Sequence, residues 1–551
     1  MRSPPAAIGR GLRDAPAWYT SRMDAVHVAV EKRYAADESF ELPRLAELVA
    51  GPTEAHDAAI EPGAPVAEGE AGSQRLEATW FDTADRRLAA AGLTLRRRTG
   101  GDDAGWQLDV PAGTGARSGV RLPLGRATRT VPEALRNLVW AHSRGAPLRP
   151  VASSVTDRTV RRLVDATGQV LAEVADDRVE ARRLLPTDGG GDAAGAATSW
   201  REIEVELVGG RTELLDAVDT GLRARGLRVA ASSAALAQVL DGNERIRPAE
   251  RQAAKLTTRS AAGDVVLTHV REQVEQMRSQ DLPVRLDAPD AVHKMRVATR
   301  RLRSALTTFK PLFAADVVRP LRGELKWLAG ELGAARDAEV MRDRVSRAVA
   351  AETTVVEPGP TGEVAGAELG EAYRGAHDRV LAELDGDRYH HLLTSLDELV
   401  ASPPFTGRAA ARAGKVLPRL VARSYARVRR LVEDAAARPA GAEREELLHD
   451  ARKAAKAARY AGESVSRVFG ADATAFAQAM EAVQEALGEH QDSVLTRERL
   501  RDLALTTSST RAAFLYGRLH ALEEARAEQS QQHFDNAWKA AGRKSLHRWL
   551  R

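Results

Sequence analysis

The sequence predicts an α+β multidomain chain in which a β-rich N-terminal half precedes an all-helical C-terminal half. Three observations predict it. Apolar and polar residues alternate with period two over roughly the first 240 residues, and beyond about residue 255 apolar residues recur near every 3.6. A basic motif then appears twice in the helical half, 156 residues apart. At 551 residues the chain is too long for one core.

Residues 1–23, rich in Pro, Gly and Arg, read as a flexible extension without an apolar run that would serve as a secretory signal. Residues 24–242 carry the strand pattern. Val26, Val28 and Val30 alternate with His27, Ala29 and Glu31; Ile203, Val205 and Leu207 alternate with Glu202, Glu204 and Glu206. Gly- and Ala-rich stretches at 61–73 and 188–199 are expected to be surface loops. Residues 243–255, charged and containing Pro248, read as a linker. Residues 256–551 are rich in Ala, Leu, Arg and Glu with helical periodicity, and the break at 353–366 is expected to join two helical halves.

Composition excludes several functions. With no cysteine the chain has no disulfide, thiol nucleophile or thiolate metal site. No apolar run approaches the ~18 residues of a membrane span, so the expected location is cytoplasmic. No G-x-x-x-x-G-K-S/T loop or nucleophile elbow is present, and the adjacent His390 and His391 would point to different sides of a helix. Net charge is only +4, so a polyanion site has to come from local clustering.

Such clustering exists. His293, Arg296, Arg300 and Arg303 stand at i, i+3, i+7 and i+10 in HKMRVATRRLR; His449, Arg452, Lys456 and Arg459 hold the same spacing in HDARKAAKAAR. At ~100° per residue each set falls within roughly 80° of one helix face. LGAARDAEV (332–340) is echoed 155 residues later by LGEHQDSVL (487–495), so the duplication predicts two similar bundles facing each other. Most Arg-rich faces are simply solvated. These two carry no acid within the sector, and stacked like charges on a helix repel, so an external anion is the expected counter-charge. Further cations at Arg319, Arg322 and Lys326, and at Arg419, Arg423, Arg427 and Arg430, would complete a basic channel if the faces converge. Nucleic acid fits that charge but lacks interleaved aromatics to stack on.

The helical half resembles the CHAD family, the conserved histidine α-helical domain, on HKMRVATRRLR, KWLAGELGAARD and HDARKAAKAARY. The resemblance implies two pseudo-symmetric helical bundles with a basic groove for inorganic polyphosphate, and it makes His293, Arg296, Arg300, Arg303, His449, Arg452, Lys456 and Arg459 ligands; from the cationic faces, Lys326, Arg419, Arg423 and Arg427 are expected beside them. Asp337 and Asp492 would orient these cations or cap helices, and capping is the preferred reading.

The N-terminal half resembles the CYTH family on WFDTADRRLAAAGLTLRRR, GWQLDVP, LAEVADDRV and WREIEVEL. This implies an eight-stranded antiparallel triphosphate tunnel whose inward residues come from every second position. Arg33, Arg96 and Arg98 would grip phosphate; Glu31, Glu173, Asp177, Glu204 and Glu206 would hold metal. The departures matter. Ala29 and Arg33 stand in the family's opening E-x-E-x-K, Asp109 replaces a lysine, and Ser233-Ala234-Ala235-Leu236 lacks another. The expectation is therefore a polyphosphate-binding protein, associated with polyphosphate granules, that needs no cofactor and whose tunnel has weak or no triphosphatase activity. Mg or Mn enters only if that tunnel is active. The alternatives are a metal-dependent triphosphatase and a nucleic-acid or ribosome-associated binder. The sequence leaves the oligomeric state open.

Overall fold

The computed structural model describes residues 31–49, 67–101, 104–111, 117–125, 130–184, 197–230, 239–240, 256–351, 360–439, 441–507 and 509–551. It divides into two compact units, 1–250 and 251–551. The expected extension, the linker, the stretch from Val26 to Val30 and the Ser233–Leu236 element lie outside the described residues.

The first unit is one antiparallel sheet. Its strands are β1 (Glu31–Ala36), β2 (Ala67–Asp82), β3 (Thr94–Thr99), β4 (Gly105–Pro111), β5 (Arg117–Leu122), β6 (Arg149–Val164), β7 (Val170–Arg183), β8 (Thr198–Leu207) and the two-residue β9 (Arg228–Val229). They lie in the order β5-β4-β3-β2-β6-β7-β8-β1-β9, and β5 also pairs with β1, so the sheet curls into a tunnel of β1 to β8. Period two explains what faces where. On β8, Ile203 and Val205 are fully buried outside the tunnel against α1 (Leu45–Val49) and α2 (Thr212–Ala224), with Leu48, Val218 and Leu222. Burying such side chains stabilises by about 1.5–3 kcal/mol each. The alternate residues, Glu202, Glu204 and Glu206, face the lumen beside Asp177, Ala175 and Glu173 of β7. Gly221 lets α2 approach α1, since a Cβ there would stand 2.6 Å from the Leu48 carbonyl oxygen.

Two expected loops need correction. Residues 67–73 are strand, not loop. They pair with β6 up to Ala67–Val164 across a register shift between Gly69 and Gly72, so ladder hydrogen bonds outweigh the poor strand propensity of Gly and Ala. Thr198 and Ser199 already belong to β8, while residues 61–66 and 188–196 lie outside the described residues.

The second unit is helical: α3 (Ala262–Ser279), α4 (Asp281–Arg285), α5 (Ala291–Thr308), α6 (Ala315–Ala351), α7 (Pro360–Asp385), α8 (Asp387–Ala401), α9 (Ala413–Ala436), α10 (Ala442–Thr506) and α11 (Thr510–Ala541). On α5 the buried stripe is Val292, Met295, Ala298, Leu302 and Leu306, which leaves the cationic row on the other side. In the second half the same service is done by α10, which bends at Gly470 (φ 59°, ψ −136°), a backbone conformation that favours glycine. Its first arm repeats α5 and its second arm repeats α6. The break at 353–366 does not join the two halves: residues 360–366 belong to α7, which packs on α6 within the first half, and 353–359 lie outside the described residues. Among the described residues no helix is long and apolar enough to cross a membrane.

Candidate functional site

Helices α5 and α10 pack against each other, and the two cationic rows meet there. Burial, followed by the charges of Arg300, Arg452, Arg296 and Arg459, pushes the Lys456 ammonium down to about 7. Burial likewise lowers Arg300, and Arg296, Arg303 and Arg452 add to it while Tyr460 opposes. Charges from both rows therefore act on both residues, and neither Arg300 nor Lys456 has a carboxylate partner among the described residues. Burial and Arg322 lower Arg303 too. His293 is exposed at the start of its row, and the equivalent His449 buries an Nδ1 that has no hydrogen-bond partner.

The duplication extends to the packing beneath. Arg296 lies across Gly333 and approaches Asp337 at 3.3 Å; Arg452 lies across Gly488, approaches Asp492 at 3.8 Å and donates to Gln491 Oε1 at 2.9 Å. Asp337 and Asp492 stand inside α6 and α10, so the capping reading is wrong: both orient arginines.

The rows are not equivalent throughout. Arg459 is held by Glu463 at 2.7 Å and Glu481 at 2.8 Å, so acids do reach the second row. Nor do the flanking rows all converge. Arg419, Arg423, Arg427 and Arg430 are exposed along α9, Arg319 and Lys326 are exposed on α6, and none of them is among the largest charges acting on Arg300 or Lys456. Sequence reasoning missed Tyr460, whose ring lies 5.6 Å from the Arg301 guanidinium and 5.8 Å from that of Arg459. Its place directly after Arg459 was the available signal.

In the tunnel, Glu31, Arg33, Arg96, Arg98, Arg158, Asp177 and Glu204 are all buried. Arg33 Nη2 lies 3.0 Å from Glu31 and 3.4 Å from Glu204; Arg158 Nη2 lies 2.6 Å from both Asp177 and Glu204. Burial raises the Glu204 pKa, but Arg33, Arg158, Arg98 and Arg96 overcome it and hold this carboxyl well below the usual range. Arg96 donates to Gln107 Oε1 at 2.8 Å and lies 3.7 Å from Asp109, the acid standing where the resemblance expects a lysine. Two carboxylate groups have oxygens within 4.8 Å of one another: Glu31, Glu204 and Glu206, and Asp177, Glu202 and Glu204. Glu173 belongs to neither and pairs with Arg162 at 2.8 Å. Arg158 was missed, although Ser154, Thr156 and Arg158 share the parity of an inward face on β6.

Residues 48–234 match the CYTH domain family and residues 268–501 the CHAD domain family. An uncharacterized protein of Mycobacterium tuberculosis (strain CDC 1551 / Oshkosh) is 37% identical over 480 residues, 84% of this chain and 89% of its own length. Among solved structures, PptA from Streptomyces chartreusis is 23% identical, covering 51% of this chain and 100% of its own, with a TM-score of 0.43. The CHAD domain from the plant Ricinus communis is 23% identical, covering 52% and 94%, with a TM-score of 0.39.

Proposed function

The chain belongs to the family of proteins that join a CYTH domain to a CHAD domain, and on that premise we propose that it binds inorganic polyphosphate through the cationic groove between α5 and α10. The observation that carries this reading is the meeting of Arg300 and Lys456: two partly buried cations on facing helices, each surrounded by further cations and neither paired with an acid among the described residues. Such a cluster is costly without counter-charge. A linear phosphate chain, with about one negative charge per unit, supplies it along the whole row, and the Arg fork matches phosphate oxygens. Nucleic acid carries similar charge, but the groove's Tyr460 is already flanked by Arg301 and Arg459 and offers no row of rings for bases. Binding of this kind needs no cofactor, and it would bring the protein to polyphosphate granules in the cytoplasm.

A metal-dependent triphosphatase is the second reading, favoured by the lumen carboxylates. Their oxygen-only donor sets fit Mg²⁺ or Mn²⁺, so Glu31, Glu204 and Glu206 would hold such an ion, which when bound would neutralise phosphate oxygens during hydrolysis. Against it, Arg33 and Arg158 already neutralise Glu31, Glu204 and Asp177, so the ion has to displace a buried guanidinium. We therefore assign the tunnel a supporting role.

The test is affinity for long-chain polyphosphate in wild type and in Arg296→Ala/Arg300→Ala/Arg452→Ala/Lys456→Ala, with RNA and tripolyphosphate as competitors. Tight binding that resists RNA and collapses in the variant is the expected result. Unchanged binding in the variant would exclude the groove, and displacement by equimolar RNA would favour a nucleic-acid ligand.

A further inference from the structure

The two cationic rows end differently. Thr307 and Glu463 are equivalent, 156 residues apart, each one turn beyond the last cation of its row. Glu463 folds back onto Arg459 at 2.7 Å and reaches Arg301 of the facing helix at 3.0 Å, which closes the second row. Thr307 instead accepts a hydrogen bond from Arg322 Nε at 3.0 Å, and Arg303 keeps no carboxylate partner among the described residues. The first row is open: Thr307 continues its stripe to the last turn of α5, and Lys310 stands in the 3-10 turn that follows.

Directly beyond it lies a cavity of about 790 Å³ between the start of α6 and the turn at Gly407–Ala410. Lys310, Arg319, Arg322 and Arg408 line its walls over Phe313 and Val318, and no Asp or Glu does. None of these four cations has a carboxylate partner among the described residues. Arg322 links the cavity to the groove, since its charge acts on Arg303.

We propose that this cavity is a second phosphate subsite, which receives the stretch of polyphosphate that runs past Arg303, so that the chain leaves the groove at the α5 end and not at the Glu463 end. The proposal rests on the polyphosphate reading of the groove. It makes affinity depend on chain length, because the row from His293 to Arg303 spans only about 15 Å at ~1.5 Å per residue, and a short oligomer fills it without reaching the cavity. Phe313 and Val318 form an apolar floor beneath these cations, so a bound anion meets several donors at once over a surface that holds no competing carboxylate.

The experiment compares full-length wild type with Lys310→Ala/Arg319→Ala/Arg408→Ala, three exposed positions whose truncation leaves the core untouched. Binding of polyphosphate of about 100 units and of about five units is titrated over a salt series; at ~0.7 per phosphate contact, the variant's log–log salt slope for the long chain should be shallower by about 2. Long-chain affinity should fall at least about tenfold, at ~1.4 kcal/mol per decade, while short-chain affinity is unchanged. Equal long-chain affinity and slope in the variant, or equal weakening for both lengths, would overturn the subsite. Arg300→Ala/Lys456→Ala is measured beside it: loss of binding to both lengths there, with an unaffected cavity variant, retains the groove and removes only the subsite. Wild-type binding in that groove variant sinks the groove reading and the subsite with it.

Discussion

Arg452 lies across Gly488 so closely that a Cβ on the glycine would stand 3.0 Å from the guanidinium, whereas Arg296 clears the equivalent position on Gly333 by 3.5 Å. Both glycines sit inside helices, where glycine costs about 1 kcal/mol relative to alanine. What they provide is a flat bed on which an arginine is laid toward its aspartate and the groove.

The difference in clearance makes a prediction. Gly333→Ala should bind polyphosphate as wild type does and gain up to about 1 kcal/mol of stability. Gly488→Ala should push Arg452 off Gln491 and Asp492 and weaken binding roughly fivefold, about 1 kcal/mol. Titration and thermal unfolding of both variants check this; equal effects on binding would mean that the glycine bed does not position Arg452.

The Lys456 pKa of about 7 comes from burial and from Arg300 and Arg296 on α5 with Arg452 and Arg459 on α10, while Glu463 sits one turn beyond on α10. Phosphate favours the ammonium, so above about pH 7 binding takes up a proton and affinity falls as pH rises, by at most about tenfold per unit. Stability of the free protein runs the other way. The folded pKa is depressed below the ordinary 10.5, so the unfolded chain holds the extra proton between about 7 and 10.5, and stability rises with pH across that window. Lys456→Arg, charged throughout, should flatten the binding profile between about pH 6 and 9. A wild-type profile that is already flat would show that Lys456 stays protonated in the free groove.

Arg158 reaches both Asp177 and Glu204 at 2.6 Å; Glu204 also has Arg33 at 3.4 Å, so removing Arg158 strips the buried Asp177 carboxylate of its 2.6 Å partner. Arg158→Met should lower the stability of the tunnel unit by about 3–5 kcal/mol, read by thermal unfolding of the full chain. Millimolar Mg²⁺ or Mn²⁺ should restore part of the loss by replacing the missing cation. Restoration by Mg²⁺ alone in wild type, with no need for the substitution, would instead favour the triphosphatase reading.

What the sequence made legible follows from the range of the forces involved. His293 to Arg303 and His449 to Arg459 could be found because spacing along one helix sets which side chains share a face. The tunnel strands were legible because Ile203 and Val205 alternate with glutamates. Arg158 was not, because its importance depends on strand register placing it beside Asp177 and Glu204. Residues 67–73 read as loop because Gly and Ala have weak strand propensity, and the partner strand that overrides it is far along the chain. Asp337 looked like a cap because local sequence cannot show that Arg296, from another helix, lies against it. The α9 arginines share a face too, but a shared face does not say which way that face turns.

Glu463 tests whether the end of the second row is deliberately closed. It neutralises Arg459 and Arg301 together, while its equivalent Thr307 leaves Arg303 open. Glu463→Thr copies the first row's arrangement onto the second. Arg459 would keep Glu481 at 2.8 Å and lose its intrahelical partner, so it becomes partly available to phosphate. Affinity for long-chain polyphosphate should rise about threefold to tenfold, and the log–log salt slope should steepen by up to ~0.7, one further phosphate contact. The fold should tolerate the change, since an i,i+4 ion pair that is only partly buried contributes at most about 1 kcal/mol. Unchanged affinity and slope would mean that Glu481 alone suffices to keep Arg459 out of the groove, and Glu463→Thr/Glu481→Gln should then produce the gain.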